Sequence, residues 1–361
     1  MDKINFDHIN VCDKRKDAEL NCNDLIDAQA DAFHYSGRKA KAFIEQVRIN
    51  FAKELNVLPV ELYFSGNYLN QSVHLVNFLV LFANVRDVLV SIFEPKEWLD
   101  YLKRLEKIGK IKLHWIKTGK FGEIDLAKFQ EQLKLIKNQA LVSLSHANEY
   151  NGLLIPVKEI AKTCRKENML FQLNLKPSIG KYKLNLENLN PDFACLDLSE
   201  YCGGRNTGIF YMKQKINVSD NIFHELKLNL QAIENKDTYS ICKLNESLKE
   251  INAHYNIQFK SINALKNYFI EQFYHHFKIK NIIADYHKEG IYTLLTYFFP
   301  EKNFGKFPAQ KLDTANILTE IINYPMKQEK GTCIRFSFGK QNTKAEIDSL
   351  VLTIKKLINK T

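Results

Sequence analysis

From residue 61 onward, short apolar runs alternate with amphipathic ones, and this pattern limits the chain to few folds. ELYFSG (61–66) reads as a strand entering a turn, NQSVHLVNFLVLFANV (70–85) as a helix, and VLVSIF (88–93) as a buried strand. The alternation continues with WLDYLKRLEKIG, IKLHWIK, DLAKFQEQLKLI, ALVSLSH, PVKEIAKTCRKEN and MLFQLNL, followed by two more strands, FACLDL and TGIFYM. The helical segments place apolar residues at three- to four-residue steps, whereas most of the strands are continuous, largely apolar runs. A strand without polar alternation is buried on both faces. The expected fold is therefore α/β: a three-layer arrangement with a mostly parallel central sheet covered by helices. Ligands of such sheets bind at the carboxyl ends of the strands, so each turn following a strand is a candidate site.

A long amphipathic helix is expected within residues 28–56, with Ala40, Phe43, Ile44, Val47, Phe51 and Leu55 on its apolar stripe. The pattern changes near residue 215. SDNIFHELKLNLQAIENKD reads as a packing or linker helix, YSICKL, INAHYNIQF and CIRFSFG as strands, and ALKNYFIEQFYHHF and KAEIDSLVLTIKKLI as helices. This divides the chain into a large α/β domain, residues 1–225, and a smaller α+β domain, residues 226–361.

With 361 residues the chain is long enough for a large core and a smaller one. Its 45% apolar and 25% charged residues are the balance of a globular protein. No run of eighteen apolar residues occurs, so no membrane span is expected. The opening MDKINFDHIN has acids and no apolar run, unlike a signal peptide. Seven scattered cysteines without a C-x-x-C pair argue against a disulfide scaffold or structural zinc and fit a reducing cytoplasm. The net charge of +10 is dispersed along the chain, and nucleic-acid binding needs a clustered basic face, so no nucleic-acid partner is expected.

SGRKAKAFIEQVRINFAKELNVLPVELYFSG, LVSLSHANEYNGLLIPVKEIAKTCRKENMLFQLNLKPSIGK and CIRFSFGKQNTKAEIDSLVLTIKKL, in this order and spacing, resemble the class V aminotransferases, especially their cysteine desulfurase branch. FDHIN near the start falls on that family's opening aspartate-asparagine segment. The resemblance spans nearly the whole chain. It implies the pyridoxal-phosphate fold type I, a cofactor held between two domains as an internal aldimine on lysine, and a homodimer with shared sites. Such chemistry needs a lysine amine, a carboxylate at the pyridine nitrogen, a group stacked on the ring, and phosphate donors.

Matched to the family's motifs, this sequence departs at each of these roles. The Ser-x-His-Lys run falls on Asp197, Leu198, Ser199 and Glu200, so an acid stands in place of the aldimine lysine. The His-x-Asp pair falls on Gln172 and Asn174, and the Glu-His pair on Glu94 and Pro95. The phosphate turn Ser-Gly-Ala-Thr-Glu falls on Ser65, Gly66, Asn67, Tyr68 and Leu69. Its free amides imply either a residual small-anion site or simple capping of the next helix. Asn148 matches the first asparagine of an Asn-Asn-Glu-x-Gly turn, Glu149 replaces the second, and Gly152 keeps its spacing. No cysteine lies between Ile291 and Lys330, where a desulfurase carries its nucleophile, and Cys333 sits in a strand-like run. Arg335 matches the arginine that holds a substrate carboxylate. It is expected either to bind a small carboxylate or to support the domain interface.

The leading expectation is a catalytically degenerate family member without a cofactor, acting by binding as a homodimer or as the partner of an active relative. The alternative is an active enzyme of the same fold, with or without pyridoxal phosphate, using His34, His146, Asn148, Asn174, Glu200, Arg205 and Arg335. A third reading takes Cys202, in the glycine-rich turn, as a sulfur carrier. No metal site is expected.

Overall fold

The computed structural model describes residues 4–5, 30, 35–199, 201, 206–277, 290–301, 312, 317–322, 330–339 and 341–358; for 4–5, 250–258, 317–318 and 358 only the backbone is described. His34, Glu200, Cys202 and Arg205 lie outside these residues.

Helix α1 (Tyr35–Leu55) carries the expected stripe: Ala40, Ile44, Val47, Phe51 and Leu55 are buried and Phe43 is half-buried. The alternating pattern then builds a seven-stranded sheet from β1 (Leu62–Ser65), β2 (Asp87–Val90), β3 (Lys112–Trp115), β4 (Ala140–Ser145), β5 (Leu170–Asn174), β6 (Phe193–Asp197) and β7 (Gly208–Met212). The strand order is β1-β7-β6-β5-β4-β2-β3. The four pairings from β6 to β3 are parallel, and β7 runs antiparallel to both β1 and β6. The sheet is thus mostly parallel, as the continuous apolar strands predict.

Successive strand residues enter opposite layers. Leu89, Val142, Phe171, Ala194 and Ile209 pack with α1, α4 (Leu126–Lys134) and α5 (Val157–Lys166). Val88, Leu141, Leu170, Phe193 and Phe210 pack with α2 (Tyr68–Phe82), α3 (Lys96–Lys107) and, beyond the short α6 (Leu186–Leu189), α7 (Asp220–Ala232). The sheet is therefore the middle of three layers.

Both sheet edges are closed by side chains, which prevents strand addition. At β1, Glu234 accepts from Phe64 N at 2.8 Å and from Arg48 Nη1 at 2.7 Å. At β3, Glu106 accepts from Leu113 N at 2.9 Å, and Gln132 donates to Trp115 O at 2.8 Å.

The smaller sheet has the antiparallel order β9-β10-β8, formed by β8 (Leu294–Pro300), β9 (Glu320–Ile322) and β10 (Gly331–Ser337). The last helix, α9 (Lys344–Ile358), packs on it through Ile347, Leu350, Val351 and Ile354. One expectation is corrected here. YSICKL and INAHYNIQF are not strands but parts of one 40-residue helix, α8 (Thr238–Phe277). Ile241 and Leu244 enter the large core, while Ile262, Phe269 and Phe273 enter the small one. These spacings of three, seven and four residues are helical, so burial of one helix by two cores overrides the strand preference of the local sequence.

Candidate functional site

The predicted site residues converge at the carboxyl ends of the parallel strands, beside the turn between β1 and α2. Ser65 ends β1 opposite Gly208 on β7. A Cβ at Gly208 would meet Leu196 O at 2.4 Å and Gly66 O at 2.6 Å, so this close crossing of three backbones requires glycine. Asn67 is the N-cap of α2, its side chain accepting from Asn70 N at 3.0 Å. Two amides of this turn also have partners: Asn67 N donates to Asn206 Oδ1 at 2.5 Å and Tyr68 N to Asp197 Oδ2 at 3.2 Å. Asp197 also accepts from Ser199 N at 3.0 Å through its second oxygen. The Tyr68 ring is buried, edge-on to Trp98 at 6.4 Å, and Trp98 Nε1 donates to Ser143 Oγ at 3.1 Å.

A chain of buried polar groups crosses the ends of β2, β4 and β5. Glu94 accepts from Ser145 N at 2.9 Å and from Ser145 Oγ at 2.6 Å. Burial pushes its carboxyl up to about 8, against the pull of both Ser145 bonds, and Glu149 adds to the rise. Pro95 is the N-cap residue of α3 and offers no side-chain hydrogen bond. Asn174 donates to Ser145 Oγ at 2.9 Å and accepts from Lys176 N at 3.0 Å. Gln172, on the same face of β5, donates to Ser72 Oγ at 2.7 Å and to Cys195 Sγ at 3.2 Å. Burial raises the Cys195 thiol to about 12, so it is a packed, protonated group.

The remaining candidates have structural partners. Asn148 accepts from Tyr150 N at 2.8 Å and shapes the turn in which Gly152 adopts φ +79°. His146 Nδ1 lies 2.8 Å from Ser178 Oγ, and burial pushes its pKa down to about 4, which holds it neutral at pH 7. Ser199 Oγ lies between Thr207 N and Thr207 O, at 3.3 and 3.4 Å. Cys333 is buried in β10 with its thiol raised to about 11 by desolvation. Cys164 is a buried free thiol, whereas Cys242 is disulfide-bonded, unlike the all-reduced set expected. No group of three or more His, Cys, Asp or Glu among the described residues could hold a metal ion, and no described helix is long and apolar enough to cross a membrane.

Arg335 lies in β10, between Glu320 on β9 and Thr296 on β8. One guanidinium nitrogen donates to Glu149 O at 2.9 Å and the other to the Glu320 carboxylate. The fork thus ties the small sheet to the turn after β4. A cavity of about 170 Å³ beside it is lined by Asn148, Glu149, Lys176, Lys181, Thr293 and Arg335, among others.

Sequence reasoning did not assign Ser145 and Asn206 to the site, and it matched Asp197 only to the serine of the lysine run. The available signal for Asp197 was an acid ending an otherwise apolar strand. Asn206 carried none, because its contact is made with a turn 139 positions away.

Residues 24–255 match the model of the family described as aminotransferase class V. The chain belongs to this family. Among curated relatives, it is similar to the cysteine desulfurase IscS of Dictyoglomus turgidum, with 20% identity over 354 residues, covering 91% of this chain and 87% of that protein. It is similar to the IscS of Buchnera aphidicola at 23% identity over 357 residues, covering 92% and 85% of the two chains. Among solved structures, a NifS-like protein superposes with a TM-score of 0.82 at 19% identity, covering 99% of this chain and all of that one (100%). At that identity the superposition establishes the fold: the large mixed sheet and smaller C-terminal sheet are those of the pyridoxal-phosphate fold type I family.

Proposed function

We propose that this chain is a non-catalytic member of the class V aminotransferase family, on its cysteine desulfurase-like branch, which acts by binding, as a homodimer or beside an active relative. The observation that carries this reading is the state of Asn174. On the register implied by the resemblance, this residue faces the pyridine nitrogen of the family's cofactor. Pyridoxal phosphate withdraws electrons from a bound amino acid, and it does so best when a carboxylate holds that nitrogen protonated. Asn174 carries no charge, and its amide is engaged on both sides by Ser145 and Lys176 within its own chain.

The surrounding groups agree. Glu94, a buried carboxyl that shares Ser145 with Asn174, is held by that serine, and its raised pKa favours the neutral form below about 8. Pro95 supplies no aromatic face, Tyr68 fills space at the turn, and the amides of Asn67 and Tyr68 already have partners. Sequence register puts Glu200 at the lysine position. The residues present do not fit the cofactor, and no reaction step is assigned through it.

The test is titration of the purified chain with pyridoxal phosphate, followed by absorbance and by borohydride reduction. This reading expects no saturable near-visible band and no lysine adduct; a reduced adduct on any single lysine would overturn it. Copurification from its native source, followed by mass spectrometry, distinguishes a homodimer from a pair with an active relative.

A further inference from the structure

We infer that Asp197 is the residue that excludes phosphate-bearing ligands from the β1–α2 turn, by supplying the site's anion from within the chain. The amino terminus of a helix carries free amides and a partial positive charge, and it attracts negative groups. Helix α2 has 15 residues and already has a local cap, since Asn67 takes the amide of Asn70. That cap leaves the other amides of the first turn open, Tyr68 N among them. Yet Asp197, 129 positions away in sequence, brings a carboxylate oxygen to Tyr68 N. Asn206 takes the neighbouring amide of Asn67. The carboxylate is held in place by its second oxygen, which accepts from Ser199 N, and only 7% of Asp197 is exposed.

Two further observations mark this turn as a place shaped for a polar group. The hydroxyls of Ser65 and Thr207 are buried and have no hydrogen-bond partner among the described residues. They belong to the strand ends that meet at Gly208, Ser65 being its partner across the sheet and Thr207 its chain neighbour. Buried hydroxyls without partners are uncommon, and hydroxyls of this kind donate readily to an oxyanion. The strand ends beside the turn thus carry two unpaired hydroxyl donors, while Asp197 occupies the amide of Tyr68. A phosphate would have to displace a fixed carboxylate or lie against it as a like charge.

This inference rests on the non-catalytic reading but is tested separately. Wild type, Asp197→Ser and Asp197→Asn are each titrated with inorganic phosphate by calorimetry, with folding checked by circular dichroism. The expected result is no saturable binding to wild type and a gain of about tenfold or more in affinity for the variants, reversed by competing sulfate. Asp197→Asn keeps the shape and one acceptor oxygen, so it guards against a folding defect in Asp197→Ser. A folded variant that binds phosphate no better than wild type overturns the inference, as does wild type that binds as well as the variants. Neither result bears on lysine adduct formation, which is the readout of the non-catalytic reading.

Discussion

The most informative single residue is Glu94, a carboxyl buried in the large core with only Ser145 to bond it. Its folded-state pKa of about 8 lies above the ordinary 4.5. Below 4.5 both folded and unfolded chains carry the proton. Between the two values only the unfolded chain releases it, so stability falls as pH rises, by about 1.4 kcal/mol per pH unit at most. Above about 8 both forms are ionised and the loss levels off. Glu94→Gln keeps the shape and removes the titration. Urea midpoints measured from pH 4 to 9 should show the variant gaining on wild type through this window; a constant difference would contradict the assignment. Tyr68 makes a second case. Its buried hydroxyl faces Ser72 without a well-formed hydrogen bond among the described residues, while its ring packs on Trp98. Tyr68→Phe should leave thermal stability unchanged or raise it by up to about 1 kcal/mol, because an unsatisfied buried hydroxyl is removed. A loss of more than about 2 kcal/mol would show that the hydroxyl is satisfied after all.

At the scale of elements, the inner strands of the large sheet were legible because they are buried on both faces, and that demand shows in sequence as largely apolar runs. The helices flanking them were legible from the spacing of residues such as Ile44, Val47 and Phe51. Helix α8 was misread in two segments because YSICKL and INAHYNIQF favour strands locally, and only tertiary packing against two cores makes them helical. The site divides the same way. Positions set by strand register, such as Gln172 and Asn174, were found from sequence. The contacts of Asp197 with Tyr68 and of Asn206 with Asn67 join distant segments and have no local signature. Edge closure is another property of this kind. Arg48 reaches from α1 to Leu62 O and to Glu234, and the two charged side chains are each only 10% exposed. Arg48→Ala leaves Glu234 buried without its cation, so it should destabilise the chain by about 3 kcal/mol. Chemical denaturation checks this; a change below about 0.5 kcal/mol would mean that solvent already compensates the pair.

For the molecule as a whole, two cores are joined by one helix and by the Arg335 fork. In an active family member the space between the two sheets would hold the cofactor; here several polar groups around it have partners within the chain. Arg335 holds Glu320, Asp197 holds the start of α2, and Asn174 is bonded to its own neighbours. On the proposed reading, the fold keeps its packing while the groups its chemistry would need are replaced or engaged. These demands separate because packing depends on apolar volume, which many sequences supply, and catalysis on particular functional groups. The most direct test is therefore chemical. The purified chain is incubated with excess pyridoxal phosphate, reduced with borohydride, digested and mapped by mass spectrometry. The account predicts only scattered, non-saturable labelling of exposed lysines. A single lysine modified in proportion to the protein, with a matching absorbance band before reduction, would contradict it.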